Sequence, residues 1–261
     1  MESRFTTLMK PMKSKLLLLL IVAGPAFSFA RTKTISHGQQ TWLGYFNQTR
    51  LSKKWEVSTD LNLRTREHFT SGLYQSLIRF GVSYYLNDAA KFTVGYALVN
   101  YFPGYNHKYL GAPEHRPWEQ FQWQTKYAKK LVQQKIRLEE RYRHKLTGDT
   151  KLAPGYNFNW RLRYYFNLEI PLNKKAADVN AFSFIAGEEV NVNFGKKIVY
   201  NYFDQNKIYA GLKYKFSPSN NLQVGFMNVF QQLAVGNSYK STNVIRIYYY
   251  QNIDLRKKKI S

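Results

Sequence analysis

Apolar and polar side chains alternate along most of this chain. In KIRLEERYRH (135–144), Ile136, Leu138 and Tyr142 take even positions, while Lys135, Arg137, Glu139, Arg141 and Arg143 take odd ones. A strand sends successive side chains to opposite faces, so this segment predicts a strand with one apolar and one densely charged face. The same period recurs in WEVSTDLNLRTR (55–66), SLIRFGVSYYL (76–86), FTVGYALVNYF (92–102) and EQFQWQTKY (119–127). It returns in FNWRLRYYFNLEI (158–170), AFSFIAGEEVNVNF (181–194), KIYAGLKYKF (207–216), NLQVGFMNVFQ (221–231) and NVIRIYYYQNIDL (243–255), with TWLGYFNQT (41–49) a weaker first strand. Glu140 and Glu188 interrupt otherwise apolar faces.

The intervals between these segments alternate too. LSKK (51–54), NDAA (87–90), KKLVQ (129–133), PLNKKAAD (171–178) and SPSN (217–220) are compact. The stretches 103–117, 145–156, 195–204 and 233–242 are generally longer. Short turns at one end and longer loops at the other predict an antiparallel up-and-down transmembrane β-barrel, because strands of this length cross hydrocarbon when tilted. Eleven segments are legible, yet single-chain bacterial barrels normally hold an even number. Twelve strands is therefore the expectation, with region 31–49 supplying two short ones; ten is the alternative. A secreted β-sandwich also alternates, but this many long strands exceed a usual sandwich.

The N-terminus changes the picture. Arg4, Lys10, Lys13 and Lys15 precede LLLLLIVAG (16–24), and Ser28 and Ala30 stand where a cleavage site needs small residues. Residues 1–30 read as a signal peptide and 31–261 as the barrel domain. The apolar run is short for a membrane-spanning helix. The chain has a formal charge of +23 and no cysteine, which leaves no disulfide framework or thiol chemistry. Cleavage after residue 30 leaves +20, so the basic balance points to anionic partners met outside the cytoplasm and away from nucleic acid.

The charged faces of 135–144 and 158–170 supply the candidate site. Arg137, Arg141, Arg143, Arg161 and Arg163 face Glu139 and Glu169, with Glu189 contributed by the next strand. Charges in a narrow bore pair or stay hydrated, and a guanidinium can bridge several carboxylates. The network fits two roles, a salt-bridged plug or a basic constriction for anions. Rival chemistry finds little support. His37, His68, His107, His115 and His144 lack hydrolase spacing from a serine and an acid, and there is no HExxH or phosphate-binding glycine loop. His107, Glu114 and His115 share a loop that reads better as hydrated than as a metal site. The expectation is a non-enzymatic barrel without cofactor or metal.

HRPWEQFQW (115–123), RLEERYRH (137–144), NWRLRYYFNLEIPL (159–172), FDQNKIYAGLKYKFS (203–217) and LQVGFMNVFQQ (222–232), in this order, resemble the domain of unknown function 2490 family. The resemblance covers about residues 36–255. It implies barrel architecture and an outer-membrane location in Bacteroidetes-type bacteria, and it brings no catalytic residue set. The partners expected are outer-membrane lipids and lipopolysaccharide, the barrel-assembly machinery during insertion, and a small anionic solute.

Overall fold

The structure, a computed structural model, describes residues 32–103, 111–148, 151–173 and 179–256. The signal-like segment 1–30, His107 and the basic tail beyond Arg256 lie outside the described residues. The first six strands are β1 (Thr34–Arg50), β2 (Trp55–Glu67), β3 (Ser71–Asn87), β4 (Ala90–Tyr101), β5 (Pro113–Tyr127) and β6 (Lys130–Thr147). Then come β7 (Lys151–Pro171), β8 (Ala181–Phe194), β9 (Phe203–Lys215), β10 (Asn220–Gln232) and β11 (Ser238–Asp254). Each pairs antiparallel with its sequence neighbour, and β1 closes the cylinder against β11.

Eleven strands, not twelve or ten, form this wall among the described residues. The region expected to hold two short strands is one long strand, Thr34–Arg50. An odd count has a geometric result: the first and last strands run the same way, so the closing pair is parallel, from Thr34↔Ser238 to Arg50↔Asp254. The expectation of a wholly antiparallel meander fails at this one seam.

The strands also outrun the apolar pattern. The stretch 145–156 was expected to be a loop, yet β6 and β7 pair almost to its tip, with Thr147 opposite Lys151. Polar residues in an extended hairpin satisfy their backbone groups on each other, so apolar alternation underestimates strand length. The barrel has two unlike ends. At the turn rim, connections 51–54, 88–89, 128–129 and 216–219 are tight, and only 172–180 is longer. At the loop rim lie 102–112 and 195–202, the broadest connections there.

The faces are inverted relative to a soluble barrel. Ile78, Phe80, Val82, Val94, Ile208 and Phe226 point outward and are well exposed, Phe80 at 57% and Ile208 at 59%. Glu114, Glu139, Arg141, Arg161 and Asn191 point inward and are buried. Outward aromatics gather at two levels. Towards the turn rim, Trp55 packs on Tyr84, Phe182 on Tyr214 and Phe216 on Tyr249. Towards the loop rim, Phe158 packs on Trp160, Trp160 on Phe194 and Phe230 on Tyr239. Between these levels the outer wall is mainly aliphatic and aromatic. Glu140 and Glu188, the two breaks in the pattern, do lie on this outer face, where Glu140 accepts from Tyr142 (3.0 Å) and Glu188 from Asn206 (2.6 Å).

One inward position shows how the bore is shaped. Gly81 and Gly95 face each other across β3 and β4, and Trp118 of β5 is the next partner of Gly95. A Cβ on Gly95 would come within 2.3 Å of both the Trp118 ring and the Phe80 carbonyl. The missing side chains let the indole lie flat along the wall, where it is 3% exposed.

Candidate functional site

The inward residues of β5 to β9 form one connected ion-pair lattice. Its upper hub is Glu114, 0% exposed near the start of β5. It accepts from Arg116 Nε (2.5 Å), Arg141 Nε (2.6 Å), Arg143 Nε (3.1 Å) and the Tyr101 hydroxyl (3.3 Å). The central hub is Glu139. Arg161 donates to it at 2.7 Å and Arg163 at 2.5 Å, while Arg116 and Arg137 stand at 3.9 and 3.8 Å. Arg161 also binds Asp204 (2.9 Å), and Arg163 binds Glu189 (2.6 Å), which holds Lys207 (2.6 Å). Arg116, Arg161 and Arg163 thus each bridge two carboxylates, as the planar fork of a guanidinium allows.

Seven of the eight residues expected in the lumen network do converge there: Arg137, Glu139, Arg141, Arg143, Arg161, Arg163 and Glu189. Their partners are finer than alternation suggested. Arg141 and Arg143 answer to Glu114, and Arg137 is mainly held by Gln120 (2.7 and 3.0 Å) and by the face of Trp118 at 4.2 Å. Glu169 is the exception. It faces inward but sits near the turn rim, paired with Lys213 at 2.8 and 2.9 Å. It lies six residues past Arg163 on β7, about 20 Å at the rise of a strand, and belongs to a separate pair. Glu169→Gln is therefore expected to cost roughly 1 kcal/mol, read from urea titration of the detergent-folded barrel. A loss matching that of a central hub would put Glu169 back in the lattice.

Several lattice members were missed. The sequence pattern leaves Glu114 in the connection 103–117, between Pro113 and Pro117. The strand survives Pro117 because its ladder with β6 passes from His115↔Tyr142 to Trp118↔Glu139, leaving that row open. The even positions Glu114, Arg116, Trp118 and Gln120 were the available signal. The same alternation turns His115 outward, onto the hydroxyl of Tyr96, so Glu114 and His115 cannot share a metal ion. Asp204 falls at the end of 195–204, a stretch the sequence pattern leaves as a connection; in the structure it lies in β9, where the register with β8 slips at Asn191/Val192 and shifts its phase against Lys207.

Below the lattice, inward side chains crowd the bore near the turn rim. Glu56, Ser83, Lys91, Ser183 and Ile185 are all under 5% exposed near the turn rim, where Glu56 binds Lys91 and Tyr85. Above it, a cavity of about 920 Å³ opens towards the loop rim, and a smaller one of about 190 Å³ lies beneath. Eleven cationic side chains line the upper cavity against two carboxylates, Glu67 and Asp204.

A closed β-barrel with buried, ion-paired charges inside and an apolar exterior is the class this geometry defines. Within that class, the chain belongs to the family described as a protein of unknown function (DUF2490), whose family model matches residues 39–240, from β1 to the start of β11. Neither a curated protein nor a solved structure matches the chain.

Proposed function

We propose that this chain is an outer-membrane β-barrel without enzymatic activity, whose arginine–carboxylate lattice braces the bore and closes it to free diffusion. The observation that carries this is the outer wall: an apolar belt bounded on both sides by aromatic pairs, around a charged interior. Water favours the opposite arrangement, whereas a bilayer favours apolar side chains outside, aromatic rings at its two interfaces and polar groups within. Outer-membrane lipids and lipopolysaccharide would contact that belt, and barrel-assembly machinery would insert it. Glu114 and Glu139 serve as hubs for arginines, which leaves them poor acids or bases for substrate chemistry.

Fractionation tests the proposal. The mature protein, lacking residues 1–30 by N-terminal sequencing, is expected in the outer-membrane fraction, resistant to carbonate and heat-modifiable on gels. Recovery as a soluble periplasmic protein overturns it. The basic upper cavity favours a second reading, an anion-selective pore. Planar-bilayer recording separates the two: the braced barrel gives no steady conductance, and the pore gives anion-selective current.

A further inference from the structure

The upper and lower cavities share five lining residues: Trp42, Arg64, Arg79, Arg163 and Lys207. These form a waist between the two spaces. Three of its four cations already have counter-charges. Arg79 lies 3.0 Å from Asp60, Arg163 bridges Glu139 and Glu189, and Lys207 holds Glu189 at 2.6 Å. Arg64 differs. No carboxylate among the described residues forms an ion pair with it, and its guanidinium stacks over the Trp42 ring at 3.6 Å. Its Nε is buried and has no hydrogen-bond partner.

A cation stacked on an aromatic face keeps its N–H groups in its own plane, free for an oxyanion. Leaving such a group buried and unmatched costs free energy, so a site of this kind is completed by what binds it. The surroundings agree in sign. Even if the other inward acids, Asp60, Glu114, Glu139 and Glu189, are added to Glu67 and Asp204, the eleven cations of the upper cavity outnumber them. Arg246 repeats the arrangement in the lower cavity: it lies 4.0 Å from the Tyr209 ring and 4.5 Å from that of Tyr248, and its Nε is also unmatched.

We infer that the waist is a binding site for the oxyanion group, phosphate or carboxylate, of a small soluble solute that enters from the loop rim and seats against Arg64. The volume above it, about 920 Å³, accommodates an organic anion of ordinary ligand size. The sheet walls the site off from the exterior, so the solute is a soluble anion and not the headgroup of a surrounding lipid. The inference deepens the reading above, and rests on it only for the route by which the solute arrives.

Inorganic phosphate and pyrophosphate serve as probes, titrated by calorimetry into the detergent-folded full barrel at constant ionic strength, so that general screening is held fixed. One saturable site is expected. Arg64→Gln weakens it by about tenfold or more, the loss of a charge-assisted contact. Lys129→Gln, in a turn at the opposite rim, leaves it unchanged. Should Arg64→Gln fail to fold, wild-type protein still answers. Phosphate is expected to protect Arg64, and not Arg50 at the turn rim, from phenylglyoxal, with the adducts mapped by mass spectrometry. Absence of saturable binding, equal affinity in Arg64→Gln, or unprotected Arg64 overturns the inference. Those results in a protein that fractionates with the outer membrane leave the barrel reading standing, whereas phosphate binding by a soluble periplasmic protein does the reverse.

Discussion

Glu139→Gln is expected to lower the stability of the detergent-folded barrel by about 3–5 kcal/mol, the cost of removing one partner from a buried ion pair. The size follows from what the carboxylate touches. Arg161 and Arg163 both donate to it, and Arg116 and Arg137 stand within 4 Å. An amide keeps the shape but removes the charge, leaving several mutually repelling guanidiniums close together with less to hold them in place. Asp204 and Glu189 remain as second partners of Arg161 and Arg163, which keeps the loss finite. Urea titration of gel mobility or tryptophan fluorescence measures it. A cost below about 1 kcal/mol, typical of exposed pairs, would show that the lattice is hydrated and loose. The same change tests closure: bilayer current that appears only in Glu139→Gln means that the lattice was the barrier.

The second large effect concerns the outer wall. Phe80→Arg places a charge near the middle of β3, at a position 57% exposed. Refolded into lipid vesicles, this variant is expected to be about 2–4 kcal/mol less stable than wild type, the cost of a lipid-facing arginine near the bilayer midplane. If Phe80 faced water, the change would stay within about 0.5 kcal/mol, as for an ordinary surface substitution. The experiment therefore reads the solvent of the wall directly, and a neutral result in vesicles would remove the membrane from the account.

Alternation made the wall legible because a strand has only two faces, and one residue per face per step fixes which side chain points where. It placed Arg137, Glu139, Arg141, Arg143, Arg161, Arg163 and Glu189 on the inner face, where they stand. Alternation carries no height, so Glu169 was grouped with arginines far above it. Strand ends are blurred too: Asp204 and Glu114 both fall in stretches that read as connections, the first beside a register slip and the second between two prolines. Strand number failed for a different reason. Eleven segments were visible, but a general preference for even barrels moved the count to twelve. Local pattern says nothing about whether the closing pair is parallel or antiparallel. The solitary state of Arg64 was beyond sequence reading for a similar reason, since it depends on which acids the other strands bring near and which they do not.

The parallel seam between Thr34 and Asp254 has a consequence for how the chain is addressed. In an even-stranded barrel the two ends of the sheet emerge side by side, and a short peptide could join them. Here the pairing begins at one rim and finishes at the other, seventeen residue pairs away. At about 3.3 Å per residue that is roughly 55 Å of strand. A cargo fused ahead of Thr34 and another fused after Asp254 would be carried at opposite rims of the barrel, and joining the two ends into a circle would require a linker threaded through, or laid along, the full height of the cylinder.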